Sequence, residues 1–353
     1  MRRNLGDARV DVRSRVLTAL LVLGVFYTLY FASSLIFPIY FAFLLSFALR
    51  PIVRGMQRMW IPAPAGAGVV LVAVIALTVF AILALSAPAT EWMQRGPSAF
   101  KQIEQRLRVL KQPLERVTKA TESVEELTKV DSADNPTVEV KEPGFADTLF
   151  NGTREFLAQA LLVVVLLYFL LASADGFMPK VAAALPGGAN RSGRSEIVQR
   201  IETEISAYLL TVTLINAGLG VVTALIMFAF GMPSPLLWGA LAGLLNFIPL
   251  IGPFICMVVL GVVSMLTFDQ FGYAVLVPLS FVALTTVEGW FITPTLVGRR
   301  LTLSPIAIVL TLFLWSWLWG APGALIAVPT LAMFKMVCDQ VESMRPMAAL
   351  MEP

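Results

Sequence analysis

The sequence predicts an all-α, polytopic integral membrane protein: about six full spans, two broken segments folded as re-entrant hairpins, and an extracytoplasmic amphipathic helical insertion. Three observations predict it. Apolar residues make up 58% of the chain and charged residues 14%, against about a quarter charged in soluble domains, and mean hydropathy is +0.80. Apolar runs long enough to cross a hydrocarbon core of about 30 Å recur along the chain. The last long runs are interrupted by proline and glycine, at 246–253 and again at 319–323.

Residues 1–15 are polar and basic, with Arg2, Arg3, Arg9, Arg13 and Arg15, and 16–37 is apolar and long enough to span. It is too long for a signal peptide and lacks a small-x-small cleavage site, so it reads as a retained anchor. Pro38 is expected to open a second apolar segment that closes at Arg50, Arg54 and Arg58, and 64–87 is a third span. Together these form a membrane unit, 1–87. Residues 88–150 are the one extended polar region. Within it Phe100, Ile103, Leu107, Leu110, Leu114, Val117 and Val124 follow three- and four-residue steps, with Thr121 filling the missing place, a heptad-like stripe on an amphipathic helix. Pro113 should kink or split that helix. The stripe suits packing on the rest of the chain or a seam in a homo-oligomer, and 131–144 reads as a loop.

The next unit, 151–207, holds a dense apolar span at 156–171 and a cytoplasmic helix, with Lys180, Arg191, Arg194 and Arg200. Residues 196–208 lead straight into a span at 209–231. The transport core is 208–337, and 338–353 is a short cytoplasmic tail.

The core is organised around its interruptions. Proline lacks an amide donor and clashes with the preceding turn, and freed backbone groups cannot face lipid. Paired broken segments are a sequence pointer to a transport site. The first broken run, about 34 residues, would measure about 51 Å as one helix, too long for the bilayer. Folded at 246–253, it returns to its starting side. A span at 273–294 then delivers Arg299 and Arg300 to the cytoplasm, and a second hairpin brings Lys335 and Arg345 back there. The basic clusters then share one side, with both termini cytoplasmic and hairpins entering from opposite faces.

Glu288 is the only carboxylate within a predicted span. An acid at mid-membrane costs about 2.5–3.5 kcal/mol, which makes it a candidate proton or cation site; the bland alternative is a structural hydrogen bond near the interface. Asn246 and Asn216 either bridge helices or donate to a substrate. The tips, Pro249, Gly252 and Pro253 on one side and Gly320, Pro322 and Gly323 on the other, are expected to expose unpaired backbone groups to a ligand. Gly239 and Gly243 form a GxxxG pair suited to close helix packing. Trp290, Trp315, Trp317 and Trp319 suit an aromatic wall or an interfacial belt. Arg299 and Arg300 anchor topology or meet an anionic substrate at the inner mouth. No catalytic or metal site is expected. The chain has no histidine and two cysteines, both in apolar runs, which argues against zinc. It has no phosphate-binding glycine loop and no basic face for nucleic acid. No cofactor is expected beyond a transported proton or Na+; the partners are the lipid bilayer and a small-molecule or ion substrate.

Three blocks carry a resemblance: LLWGALAGLLNFIPLIGP at 236–253, EGWFITPTLVGRRLTLSP at 288–305 and WLWGAPGALIAVPTLAMFK at 317–335. Together, in this order, they resemble the signature blocks of the autoinducer-2 exporter family, and the likeness covers nearly the whole chain. Departures are Ser304, where such families often carry histidine, and Trp290, near a position often held by asparagine. The resemblance implies a bacterial inner-membrane transporter, oligomeric and not an enzyme, from a family whose activities include autoinducer-2 export and Na+(Li+)/H+ exchange. The expected function is a secondary transporter or exporter of a small solute, an autoinducer-2-like signal or related metabolite, with proton coupling through Glu288. The alternatives are a cation/proton antiporter and, from another class, a non-transporting scaffold that binds through 88–150.

Overall fold

The computed structural model describes residues 5–118, 145–173, 191–297, 303–340 and 344–352, and among these every element is helical. In chain order they are α1 (Leu5–Phe31), α2 (Ser33–Gln57), α3 (Ala63–Thr118), α4 (Phe145–Ala172), α5 (Arg191–Ala229), α6 (Pro235–Leu245), α7 (Ile251–Thr267), α8 (Phe271–Val287), a π turn (Glu288–Ile292), α9 (Thr293–Val297), α10 (Pro305–Gln340) and α11 (Arg345–Ala349). Among the described residues, five stretches are long and apolar enough to cross a membrane: Ser33–Gln57, Ala63–Gln94, Val198–Ala229, Phe271–Val297 and Pro305–Gln340. Shorter apolar helices at Val16–Phe31 and Phe156–Ala172 accompany them.

Two boundaries differ from the sequence reading. The first break falls at Ala32 (φ −94°, ψ 22°), and Pro38 lies buried inside α2. A proline early in a membrane helix removes one backbone bond, which packed neighbours make tolerable. Pro88 likewise ends nothing. α3 runs unbroken from Ala63 to Thr118, so the expected split at Pro113 does not occur; at 1.5 Å per residue its 56 residues reach about 84 Å, far past any hydrocarbon core. The loop read at 131–144 lies outside the described residues, as do the side chains of the heptad stripe from Phe100 to Val117, and Val124. Residues 196–208 continue into the following span as one helix, α5.

Both broken segments are hairpins. Tyr273, at the start of α8, packs edge-on against Phe230 and Phe268, and its hydroxyl donates to the Phe230 carbonyl at 3.3 Å. The residues just before α6 and just after α7 therefore share one end of the bundle. Trp92 of α3 meets Trp238 of α6 at the same end, ring centroids 5.3 Å apart. A single rod through 235–267 would put those ends about 50 Å apart. The second hairpin is hidden inside α10, where Trp319 (φ −132°, ψ 15°) and Gly320 (φ 64°, ψ −146°) leave helical geometry. Tyr40 of α2 stacks on Trp315 before this break and donates to Thr330 after it, so the two arms lie side by side. The open end is closed by the Ser304 amide, which donates to the Met351 carbonyl at 2.7 Å.

The open ends face opposite ways. α5 joins them: Glu202 near its start takes Arg50 and Arg54 of α2 at 2.6 Å each, and Arg200 and Glu204 beside it border a pocket with Met336 and Asp339 of the second hairpin's returning arm. Its last turn leads to Phe230. The hairpins meet in the middle, where Ile248 at the first tip packs on Leu312, Ala324 and Ala327 of the second.

Candidate functional site

The close approach of α5 and α6 sets up the site. A Cβ at Gly239 would stand 2.4 Å from the Gly220 carbonyl, and one at Gly243 would stand 2.8 Å from that of Asn216. Only glycine permits backbones this near, which is the packing role read from the GxxxG pair. The seam carries Asn216 to the C-terminal cap of α6, where Asn246 Nδ2 donates to Asn216 Oδ1 at 2.8 Å. Asn216 is 3% exposed, and its own Nδ2 has no partner among the described residues.

The first tip is tightly wound. Leu250 has φ 67° and ψ −56°, and the Ile251 amide donates to the Pro249 carbonyl at 2.8 Å. This is the rare γ-turn with positive central φ, a strained form for any side-chain-bearing residue. Gly252 makes the turn possible, since its missing Cβ would lie 1.8 Å from the Leu245 carbonyl. The amides of Asn246, Phe247, Ile248, Ile251 and Gly252 all donate within the turn. Those amides are therefore not open to a ligand, contrary to the sequence expectation, because a tight turn supplies its own acceptors.

Glu288 opens the π turn, two-thirds of the way along the run Phe271–Val297. The Thr293 amide bonds the Glu288 carbonyl, the i to i+5 pattern that inserts an extra residue and turns a side chain off the regular helical face. Its carboxylate Oε1 accepts from the Thr293 hydroxyl, and the residue is half-buried.

These groups line a cavity of ≈ 590 Å³. Asn216, Asn246, Pro249, Pro253 and Glu288 all border it, and Val328 and Pro329 close it from the returning arm of the second hairpin. Glu288 also edges a neighbouring apolar groove between α5 and α8. Gly252 is buried between the arms. Gly320, Pro322 and Gly323 do not border this cavity. Their turn packs toward α1 and α2, with Trp319 Nε1 donating to the Leu29 carbonyl at 3.1 Å. Gly323 repeats the device of Gly252, its absent Cβ lying 2.0 Å from the Trp315 carbonyl. Of the tryptophans, Trp290 borders the cavity, Trp315 and Trp319 pack on Tyr40, and Trp317 stacks on Tyr30. Arg299 and Arg300 lie outside the described residues.

A model of the AI-2E family transporters matches residues 19–343. The chain belongs to that family. It is 26% identical over 326 residues, 91% of this chain and 90% of the relative, to the AI-2 transport protein TqsA of Escherichia coli K12. It is also 26% identical over 322 residues to the putative transport protein YhhT of the same strain, covering 91% of this chain and 89% of that one. Against the putative transport protein YrrI of Bacillus subtilis 168 identity is 30% over 206 residues, 57% of this chain and 58% of the relative. This AI-2E family member is thus a multi-pass bacterial inner-membrane protein, and its broad function is membrane transport.

Sequence reading of this AI-2E chain missed several lining side chains. Tyr208, Thr285, Thr286 and Thr293 border the cavity. The threonines sit in apolar runs where a hydroxyl usually bonds its own helix, and Thr285 and Thr286 do so. Glu202, 2% exposed, was missed because 196–208 reads as a surface helix. Its arginine partners are far away in sequence and give no local signal.

Proposed function

We propose that this protein is a secondary exporter that moves a small neutral solute, of the autoinducer-2 kind, through the cavity between the hairpins by alternating access. The observation that carries this reading is the convergence of Asn216, Asn246 and Glu288 on one cavity bordered by both hairpins. The volume suits a small ligand, since binding clefts span about 300–1,000 Å³. Among the described residues, Glu288 is the one carboxylate on that cavity, and in this reading it is the group that couples transport to protons. The bundle end bearing Arg54, Arg200 and Lys335 is the cytoplasmic one by the charge rule, which puts the carboxyl terminus inside. We read the assembly as a homo-oligomer in the bilayer.

The test is efflux of autoinducer-2 from proteoliposomes under an imposed pH gradient. Glu288→Gln is expected to remove the response to the gradient, and Asn246→Ala to lower flux at subsaturating solute. Unchanged flux in both variants removes the site. Saturable, gradient-driven flux of radioactive Na+ instead would favour the antiporter, and no saturable flux of either would favour the scaffold.

A further inference from the structure

The amide pair at the tip has a fixed polarity. Asn246 Nδ2 donates to Asn216 Oδ1, so one side of the Asn216 amide is engaged and its nitrogen is the group left over. That nitrogen is buried without a partner among the described residues, on a residue that lines the cavity. Buried donors are almost always satisfied, and an exception points to a missing partner. Asn246, whose side chain holds the neighbouring Asn216 oxygen, is half-buried on a hairpin tip and not packed core.

We propose that Asn216 Nδ2 is the specificity donor of the site, binding a carbonyl or hydroxyl oxygen of the solute when Asn246 moves with its tip. The site then takes neutral, oxygen-bearing solutes and rejects alkali cations. A cation needs several oxygens converging on one point. Here the Asn216 oxygen carries the Asn246 donor, Glu288 Oε1 carries the Thr293 hydroxyl, and the group left over at Asn216 is a donor, whose positive end a cation would meet. Thr285 and Thr286 give their protons to helix carbonyls and keep lone pairs for solute hydroxyls. A site built to hydrogen-bond a ligand discriminates strongly, because a wrong ligand leaves its polar groups unpaired.

This inference rests on the cavity being the transport site, and the experiment separates the two. The full chain in proteoliposomes is assayed with autoinducer-2, ribose and radioactive Na+, and in detergent by ligand-induced shift of the unfolding temperature. Asn216→Leu keeps the volume and removes the donor; Asn216→Ser keeps a donor. The leucine variant is expected to raise KM for the neutral solute about tenfold, with a smaller change in kcat, and serine to restore part of it. Na+ is expected to give neither saturable flux nor a thermal shift. Wild-type KM in a folded Asn216→Leu protein overturns the donor role while leaving the cavity reading intact. If the leucine variant does not fold, Asn216→Ala, which also lacks the donor, and the Na+ arm decide: wild-type KM in a folded alanine variant, or saturable Na+ flux, overturns it. Absence of both flux and thermal shift for every neutral solute sinks this inference together with the transport reading.

Discussion

Gly252→Ala tests the hairpin most directly. The added Cβ would lie 1.8 Å from the Leu245 carbonyl oxygen, where real contacts essentially never fall below 3.0 Å. The arms must therefore part by at least about 1.2 Å at the tip. Asn246 follows Leu245 directly, and its bond to Asn216 is 2.8 Å. Carried through to that side chain, the same shift stretches the contact to about 4 Å, where no hydrogen bond survives. Overpacking of this kind costs about 1–3 kcal/mol and the lost bond about 1 kcal/mol more. The control is Gly218→Ala on α5, whose Cβ meets nothing within 4 Å; helix propensity alone favours that change by up to about 1 kcal/mol. Thermal unfolding of both variants in detergent, followed by solute efflux, reads the difference. We expect a lowered midpoint and weakened flux for Gly252→Ala, and an unchanged or raised midpoint for the control. A Gly252→Ala protein with wild-type midpoint and flux would refute the close-packed hairpin.

Gly323→Ala, 2.0 Å from the Trp315 carbonyl, is expected to lower the midpoint by a similar amount. Glu202→Ala removes the buried carboxylate held 2.6 Å from buried Arg50, and should destabilise by about 3–5 kcal/mol, measured by the same unfolding assay. Leu250→Gly relieves a backbone at φ 67°; we expect it to stabilise the protein slightly, since about 1–2 kcal/mol of steric cost is set against the added flexibility of glycine. Cysteines at Phe230 and Tyr273, which meet across the open end of the first hairpin, in a background with Cys256 and Cys338 replaced by alanine, should be joined by a short bifunctional maleimide, and so should cysteines at Ser304 and Met351. Failure of the first pair while the protein remains folded would mean that 235–267 does not double back.

Much of this arrangement was legible before any coordinates, because membrane helices obey few rules. The interruptions around Pro249 and Gly320 had to be buried, and a run too long for the bilayer had to fold. Asn216, Asn246 and Glu288 stood out as polar groups in apolar surroundings, and the cavity gathers all three. What could not be read was anything set by packing at a distance. Pro38 and Pro88 look like boundaries locally, yet the helix continues through each. Glu202 looks like a surface acid until α2 brings two arginines to it. The Gly320 turn has the same composition as the first tip, but the tryptophans beside it find Tyr40 and α1, and that contact draws the turn away from the cavity.

The two tips reverse the chain by different means. At one, a leucine is held in a conformation that it resists; at the other, a glycine takes up its angles at little steric cost. One latch is wound and the other slack. A solute that loosens the wound latch recovers part of its own binding work from the protein, whereas the slack one has nothing to return. Motion in a transport cycle should accordingly begin at Leu250, with the partner hairpin acting as the fixed wall against which it swings.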